Sequence, residues 1–244
     1  MNRFQYRKHR KNFVWERKRD YSNMNKLNHI AFIMDGNGRW GRKKNKGRNF
    51  GHLKGVETVK KIVKSSIKLK IPFITFYVFS SENWKRPKNE IKFLFQLIKN
   101  YFHKEIYNVI KQGIKINIIG EVNKLPLDLR NTLVKCESLT KKNKNINVNL
   151  AINYGSKNEI LMAAKKNKKI NLKNLERNLY TKDMPDPEIL IRTGGNQRLS
   201  NFLLWQLAYT ELFFLKKLWP DFNHIDLKNI IKKFKKIKRN YGAI

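Results

Sequence analysis

The chain has 244 residues, enough to bury a substantial core as one α/β domain or as two smaller ones. Its 54 Lys and Arg against 18 Asp and Glu leave a net charge of +36, which invites a nucleic-acid or anionic-membrane reading. The single Cys136 excludes an intramolecular disulfide framework and a cysteine-based zinc site, and no apolar run reaches the roughly 18 residues of a membrane span.

Residues 1–27 are basic and carry Phe4, Tyr6, Phe13 and Trp15, without the apolar centre of a secretory signal. They read as a flexible terminus or as an interfacial anchor, ahead of a domain over 28–244. The expected compartment is the cytoplasm, with peripheral contact at the inner face of the membrane. Residues 29–34 form a first buried strand, a short apolar run stopped by turn residues. The loop 35–49 follows with Asp35, two glycines around Asn37 and six basic residues. From Phe50 to Leu69 the apolar positions Leu53, Val56, Val59, Ile62, Val63 and Ile67 recur at helical spacing. Pro72 to Phe79 is a second strand, dense in β-branched and aromatic residues. It ends in a second polar loop, Ser80 to Pro87. A long helix covers 88–111, with a stripe running from Ile91, Leu94 and Phe95 to Val109 and Ile110.

Gly113 stops that helix, and Ile114 to Ile119 alternates as a third strand. Pro126 opens a helix to about Lys142, in which Cys136 is a packing residue near Leu133 and Leu139. Ile146 to Ile152 is a fourth strand, followed by a helix from Ser156 to about Lys165 and a short one near 171–179. Glu188 to Arg192 is a fifth strand, ending in Thr193-Gly194-Gly195. Asn201 to Tyr209 reads as helical, Leu212 to Leu215 as a sixth strand, and about Asp226 to Lys238 as the terminal helix.

Strands alternating with helices imply right-handed crossovers and a mainly parallel sheet. Three polar loops, after Met34, Phe79 and Ile191, then fall on one edge of it, where open α/β sheets bind ligands. Those loops hold Arg39, Arg42, Arg48, Arg86, Arg192 and Arg198, and the guanidinium fork matches phosphate oxygens. The sequence lacks a P-loop and a dinucleotide fingerprint. Asp35 has two readings, a salt-bridged structural acid or a magnesium ligand shared with a diphosphate. His52 is a satisfied core residue, a diphosphate contact or a proton shuttle. The aromatic stripe of 88–111 reads as core, or as a wall for a hydrocarbon tail, each methylene of which is worth about 0.8 kcal/mol when buried.

The run His29 to Trp40, with Asp35-Gly36-Asn37-Gly38-Arg39-Trp40 at its end, resembles the first motif of the cis-prenyltransferases. Arg48 to His52, Phe79 to Pro87, Ile191 to Gly195, Arg198 to Gln206, Glu211 to Phe214 and Trp219 to Phe222 resemble the later ones in order. The resemblance spans about residues 28–240. It implies an α/β fold in a single domain: a mainly parallel sheet of about six strands, flanked by helices, with a hydrophobic tunnel. It implies an enzyme that condenses isopentenyl diphosphate repeatedly onto farnesyl diphosphate with new double bonds in cis. The implied product is a long polyprenyl diphosphate such as undecaprenyl diphosphate, a lipid-carrier precursor for cell-wall glycans. The implied cofactor is Mg2+, held by Asp35 and Glu211, and the implied assembly is a homodimer.

By the same resemblance Gly36, Asn37, Gly38, Arg39 and Arg48 bind the allylic diphosphate, and Trp40 is a further substrate-binding residue. Arg192, Arg198 and Ser200 bind isopentenyl diphosphate. Ser80, Ser81, Glu82, Asn83, Trp84 and Arg86 lie on the loop that orders over the substrates. Asp35 assists loss of the allylic diphosphate, and Asn83 and His52 are the candidates for proton handling. Asn196-Gln197 stand where the family commonly has Glu-His, which weakens any role for those two positions. Val56, Val78 and Ile152 are bulkier than the tunnel residues often found, and Ile146 stands near the tunnel floor. A nucleic-acid-binding protein leaves the converging loops unexplained and lacks any binding signature, so no specific nucleic acid is expected. A noncatalytic subunit of a two-component enzyme tends to lose the aspartate loop or its arginines, all present here.

Overall fold

The computed structural model describes residues 27–167 and 169–239. All but the last residue of the basic segment 1–27 lies outside them. Six strands form one sheet: β1 (His29–Ile33), β2 (Phe73–Ser80), β3 (Ile114–Ile119), β4 (Ile146–Tyr154), β5 (Ile189–Arg192) and β6 (Glu211–Phe214). Their order is β3-β4-β2-β1-β5-β6, and every neighbouring pair is parallel. The chain builds outward from β1 on one side, then returns to its other side with β5. The crevice beyond the carboxyl ends of β1 and β5 is therefore the switch point where such sheets take ligands.

Seven helices flank the sheet among the described residues: α1 (Asn37–Lys43), α2 (Gly47–Lys68), α3 (Lys88–Lys111), α4 (Leu127–Thr140), α5 (Ser156–Lys165), α6 (Leu172–Asn178) and α7 (His224–Phe234). Alternate strand residues divide between two cores. Ile30, Phe32, Ile74, Phe76, Val148 and Leu150 face the larger one, with Ile62 of α2 and Phe95 and Phe102 of α3. Phe32 stacks on Phe76 at 5.0 Å and meets Trp219 and Phe222 edge-on. Ala31, Ile33, Ala151 and Leu190 face the smaller one, with Phe202 and Leu203. Across that second face runs a polar ladder: Asn117 donates to Asn149, Asn149 donates to Thr75 Oγ1, and His29 bonds Thr75 Oγ1 and Pro185 O. A one-residue slip would break every bond of it, so it pins the register. Cys136 is buried in the larger core, as a packing residue.

The structure corrects several boundaries. The stretch 35–49 is folded: α1 fills it, and α2 begins at Gly47 rather than Phe50. The two helices meet through glycine, since a Cβ on Gly41 would lie 2.0 Å from Gly47 O and one on Gly51 1.8 Å from Asn37 O. Residues 201–209 form successive turns instead of a helix. Ser200, Asn201 and Leu203 sit at φ 52, 61 and 48, a left-handed backbone that no α-helix accommodates. β4 continues through Tyr154, and β6 starts at Glu211. The terminal helix starts two residues early because Asn223 caps it, and it stops at Phe234.

Candidate active site

Asp35 follows β1 by two residues, and its backbone is fixed from three sides. Its N–H donates to Ile33 O at 3.0 Å, and its carbonyl accepts from Trp219 N at 3.1 Å and Thr193 Oγ1 at 2.8 Å. Gly36 then turns the chain at φ 106 into α1, where a side chain would strike Leu218. The Asp35 carboxylate accepts from Arg39 Nη2 at 3.2 Å on Oδ1, and from Arg192 Nη2 at 3.1 Å and Asn196 Nδ2 at 2.8 Å on Oδ2. Burial alone would push its pKa up. The bonds from Asn196 and Arg192, with the charges of Arg39 and Arg192, outweigh that and hold it below the usual carboxylate range.

β5 delivers the partners. Arg192 ends it with only 4% of its side chain exposed. Its guanidinium touches Asp35, the Arg198 carbonyl and Ser200 Oγ, the last at 2.8 Å, while its Nε is buried without a partner. Gly194, at φ 90, lets Arg39 Nη2 reach its carbonyl at 2.7 Å, and a Cβ there would lie 2.6 Å from that nitrogen.

α2 and the β2–α3 loop supply the opposite wall. Arg48 donates to Glu90 through Nε at 3.0 Å and Nη2 at 2.9 Å, and Arg86 Nη1 reaches the same carboxylate at 3.2 Å. His52 Nε2 lies 3.4 Å from Glu90 Oε1, too poorly aligned to hydrogen-bond, and is buried without a partner. Burial drives the His52 pKa down to about 4, with the Arg86 charge acting the same way, so the ring is neutral near pH 7. Gly38 lies under the Arg48 guanidinium, where a Cβ would come within 2.9 Å of it.

These groups enclose a cleft of about 360 Å³. Asp35, Gly36, Asn37, Gly38, Arg39, Arg48, His52, Ser80, Asn83, Arg86, Arg192, Arg198 and Ser200, from loops far apart in the chain, all line it. Ile33, Met34, Val78 and Leu94 supply its apolar wall, and half-buried Ile98, Tyr101 and Ile106 of α3 belong to the same core face. Ile146 and Ile152 are fully buried there, while Val56 is half-buried on α2.

Other expected residues stand outside the lining. Trp40 donates to Asp221 Oδ1 at 2.7 Å and stacks on Phe50. Trp84 donates to Asn153 Oδ1 at 2.8 Å and packs on Phe79 and Phe95. Glu82 accepts from Asn201 Nδ2 at 2.8 Å, and Ser81 sits against Gly155. Asn37 touches the cleft, but its amide donates to Met34 O and its Oδ1 is buried facing Gly55.

Glu211 is not beside Asp35. It pairs in register with Ile189, at the entry end of β5, whereas Asp35 lies past the exit end. The separation along the strands is roughly 15 Å, so one ion cannot join the two within one chain. Among the described residues no three His, Cys, Asp or Glu side chains gather as a metal cluster. Glu211 instead lies 3.6 Å from Arg239 Nε.

Three residues of the site escaped the sequence reading. Glu90, 8% exposed, gathers Arg48, Arg86 and His52, and its one signal was its place four residues after Arg86. Asn196, expected to matter little, bonds the Asp35 carboxylate directly and accepts from Arg198 Nη1 at 3.3 Å. Tyr77 lines the cleft, donates to the Ser200 carbonyl at 3.2 Å and stacks on Phe202 at 4.4 Å.

A family model described as "Putative undecaprenyl diphosphate synthase" matches residues 33–242. An isoprenyl transferase of Clostridium tetani is 43% identical over 227 residues, 88% of this chain and 89% of that protein. A ditrans,polycis-undecaprenyl-diphosphate synthase ((2E,6E)-farnesyl-diphosphate specific) of Wigglesworthia glossinidia brevipalpis is 43% identical over 232 residues, 91% of this chain and 89% of the other. The crystal structure of lavandulyl diphosphate synthase from Lavandula x intermedia, in complex with dimethylallyl diphosphate, superposes with a TM-score of 0.86 at 31% identity, over 90% of this chain and all of that one. That of "a probable undecaprenyl diphosphate synthase" from Campylobacter jejuni gives 0.77 at 35% identity, with the same coverage.

Proposed function

This chain belongs to the undecaprenyl diphosphate synthase family of prenyltransferases, and on that footing we propose how its residues divide the reaction. The reaction is cis-prenyl chain elongation from an allylic diphosphate and isopentenyl diphosphate. In each cycle the allylic C1–O bond breaks and diphosphate leaves with the electron pair. C4 of isopentenyl diphosphate bonds to C1, and a proton lost from its C2 leaves the new double bond.

Arg39, Arg48 and Arg86 hold the allylic diphosphate, and Arg192, Arg198 and Ser200 hold that of isopentenyl diphosphate. The two clusters face each other across Asp35, so the reacting carbons meet as neighbours. The fixed guanidinium groups are aimed where negative charge develops on the departing diphosphate. Neutral His52, with a buried and unpartnered Nε2, is able to accept the C2 proton or pass it on, and Asn83 orients the group that loses it. Ile33, Met34, Val78 and Leu94 receive the hydrocarbon and keep water from the electron-poor carbon.

Magnesium fits this donor set only together with substrate, because it binds through one or two carboxylates plus phosphate oxygens and Asp35 supplies one ionised carboxylate. When bound, it supplies further positive charge to the leaving diphosphate. The starting allylic substrate is farnesyl diphosphate and the product undecaprenyl diphosphate, as the name of the Wigglesworthia relative suggests. The working unit is a homodimer, supported by the open edge of β6, where Leu212 is 44% exposed. A second copy is also the one way for Glu211 to approach an ion at Asp35. No helix among the described residues is long and apolar enough to cross a membrane.

The observation that carries this reading is one cleft lined by five arginines, a carboxylate and an apolar wall. Its test is incubation with farnesyl diphosphate, labelled isopentenyl diphosphate and magnesium, followed by sizing of the lipid. Label in a long-chain diphosphate is expected. No incorporation under any detergent condition would sink it.

A further inference from the structure

Between Asp35 and Glu57 the chain carries seven Lys or Arg and no acid. The fold concentrates them on the elbow where α1 turns into α2. Arg42, Lys43, Lys44 and Lys46 are all exposed there. Elsewhere on the surface a few lysines are matched, Lys60 with Glu105, Lys99 with Asp128, Lys124 with Glu121 and Lys217 with Asp226, and most are not, so what sets the elbow apart is its unpaired lysines together with the apolar floor beneath them. On the elbow Lys43, Lys44 and Lys46 make no ion pair among the described residues. The nearby acids are already engaged, Glu57 with Lys54 and Asp221 with the Trp40 indole.

The same elbow has an apolar floor. Trp40 and Phe50 stack at 5.8 Å and 22°, with Lys44 over Trp40 at 5.8 Å and Lys46 and Lys54 over Phe50 at 4.9 and 5.7 Å. One turn on, Leu53 is 43% exposed. Aromatic rings half-sunk beneath unpaired lysine heads, beside an exposed leucine, form the residue set that seats a surface at a lipid headgroup boundary. The surface is rigid, because the two helices touch backbone to backbone at Gly41, Gly47 and Gly51. It adjoins the cleft, whose wall includes Arg39, Arg48 and His52 from the same two helices.

We propose that this elbow is a docking surface for an anionic lipid bilayer, setting the mouth of the cleft against the membrane that receives the product. The inference rests on the reading of the product as a long-chain polyprenyl diphosphate, for which water is a poor destination. Lysines draw the surface to anionic headgroups, and Leu53 with the ring edges enters the interface. Each basic residue near an anionic leaflet contributes roughly a fivefold gain in binding, so three together contribute on the order of a hundredfold.

The test is sedimentation of the full chain with vesicles of equal parts phosphatidylcholine and phosphatidylglycerol, and with vesicles of phosphatidylcholine alone. Binding to the mixed vesicles that falls steeply with salt is expected. The triple variant Lys43→Gln, Lys44→Gln, Lys46→Gln should lose about a hundredfold in that affinity, and Leu53→Ser should weaken the part that survives salt. None of these residues lines the cleft, so prenyl transfer in detergent should be unchanged in both variants. That second assay separates failure of the docking surface from failure of the proposed reaction. Wild-type affinity in the triple variant would overturn the proposal, and so would equal binding to neutral vesicles. If the three substitutions instead weaken binding of single-stranded RNA and leave vesicle binding intact, the surface serves nucleic acid and the proposal is wrong.

Discussion

Replacing Glu90 by glutamine tests whether one buried carboxylate organises the allylic side of the cleft. The substitution keeps shape and one acceptor oxygen but removes the charge and turns an amide N–H₂ toward a guanidinium. Glu90 accepts two bonds from Arg48 and one from Arg86. A hydrogen bond to a charged group contributes about 1.5–3 kcal/mol. Arg48 is 41% exposed and Arg86 34%, so solvent screening leaves the three together worth about 1.5 kcal/mol, the low end for a single such bond. Burial pushes the Glu90 pKa up, but the bonds and charge of Arg48, with the charge of Arg86, outweigh that and hold it below the usual carboxylate range. A carboxyl depressed on folding stabilises the protein above its unfolded pKa and stops doing so as pH falls through the folded one. Urea unfolding of Glu90→Gln should therefore show the full loss at neutral pH and a gap that narrows below pH 4.5. With Arg48 and Arg86 no longer held, KM for the allylic diphosphate should rise about tenfold, matching about 1.4 kcal/mol. A stability difference independent of pH, or an unchanged KM, would refute the idea that Glu90 works through its charge on those arginines.

Three further outcomes follow from the same geometry. Asp35→Asn leaves an acceptor for the buried Arg192, so a normal melting curve is expected, while single-turnover prenyl transfer falls by about a hundredfold or more. Retained turnover would return Asp35 to a structural role. Asn196→Ala removes one of the three donors to Asp35. It should cost roughly fivefold in kcat/KM and move the acid limb of the pH–rate profile upward, whereas an unmoved limb would discount the contact. Burial lowers both His29 and His52 from 6.5 to about 4. The unfolded chain thus binds more protons between those values, and stability falls as pH drops from 6.5 toward 4, by up to about 3 kcal/mol for each ring. Unfolding of His52→Gln followed over that window should show the slope reduced by the share of one histidine.

Elements whose signal is local are legible in the chain before it folds. Alternating β-branched runs, the 3.6-residue stripe of 88–111 and the polar loops after three strands each follow from where a side chain points along a strand or helix. Those runs carry the parallel α/β character, and the motif loops place Asp35, Arg48, Arg86, Arg192, Arg198 and Ser200 on one cleft edge. The tertiary structure alone decided what depends on neighbours distant in the chain. The strand order, with β5 returning beside β1, is set by packing of both faces and by the Asn117–Asn149–Thr75–His29 ladder. The left-handed residues that undo the apparent helix after Ser200 are held by Tyr77, Arg192, Ser156 and Lys157, a contact set no window of sequence contains. Glu90 looks like an ordinary surface residue in the sequence and Asn196 like a motif position with its role weakened, and both become part of the site because α3 and the β5 loop bring them to Arg48 and Asp35. Glu211 shows the converse. Its motif was legible, but strand register puts it at the far end of the sheet, because a parallel neighbour fixes height along the strand as well as adjacency.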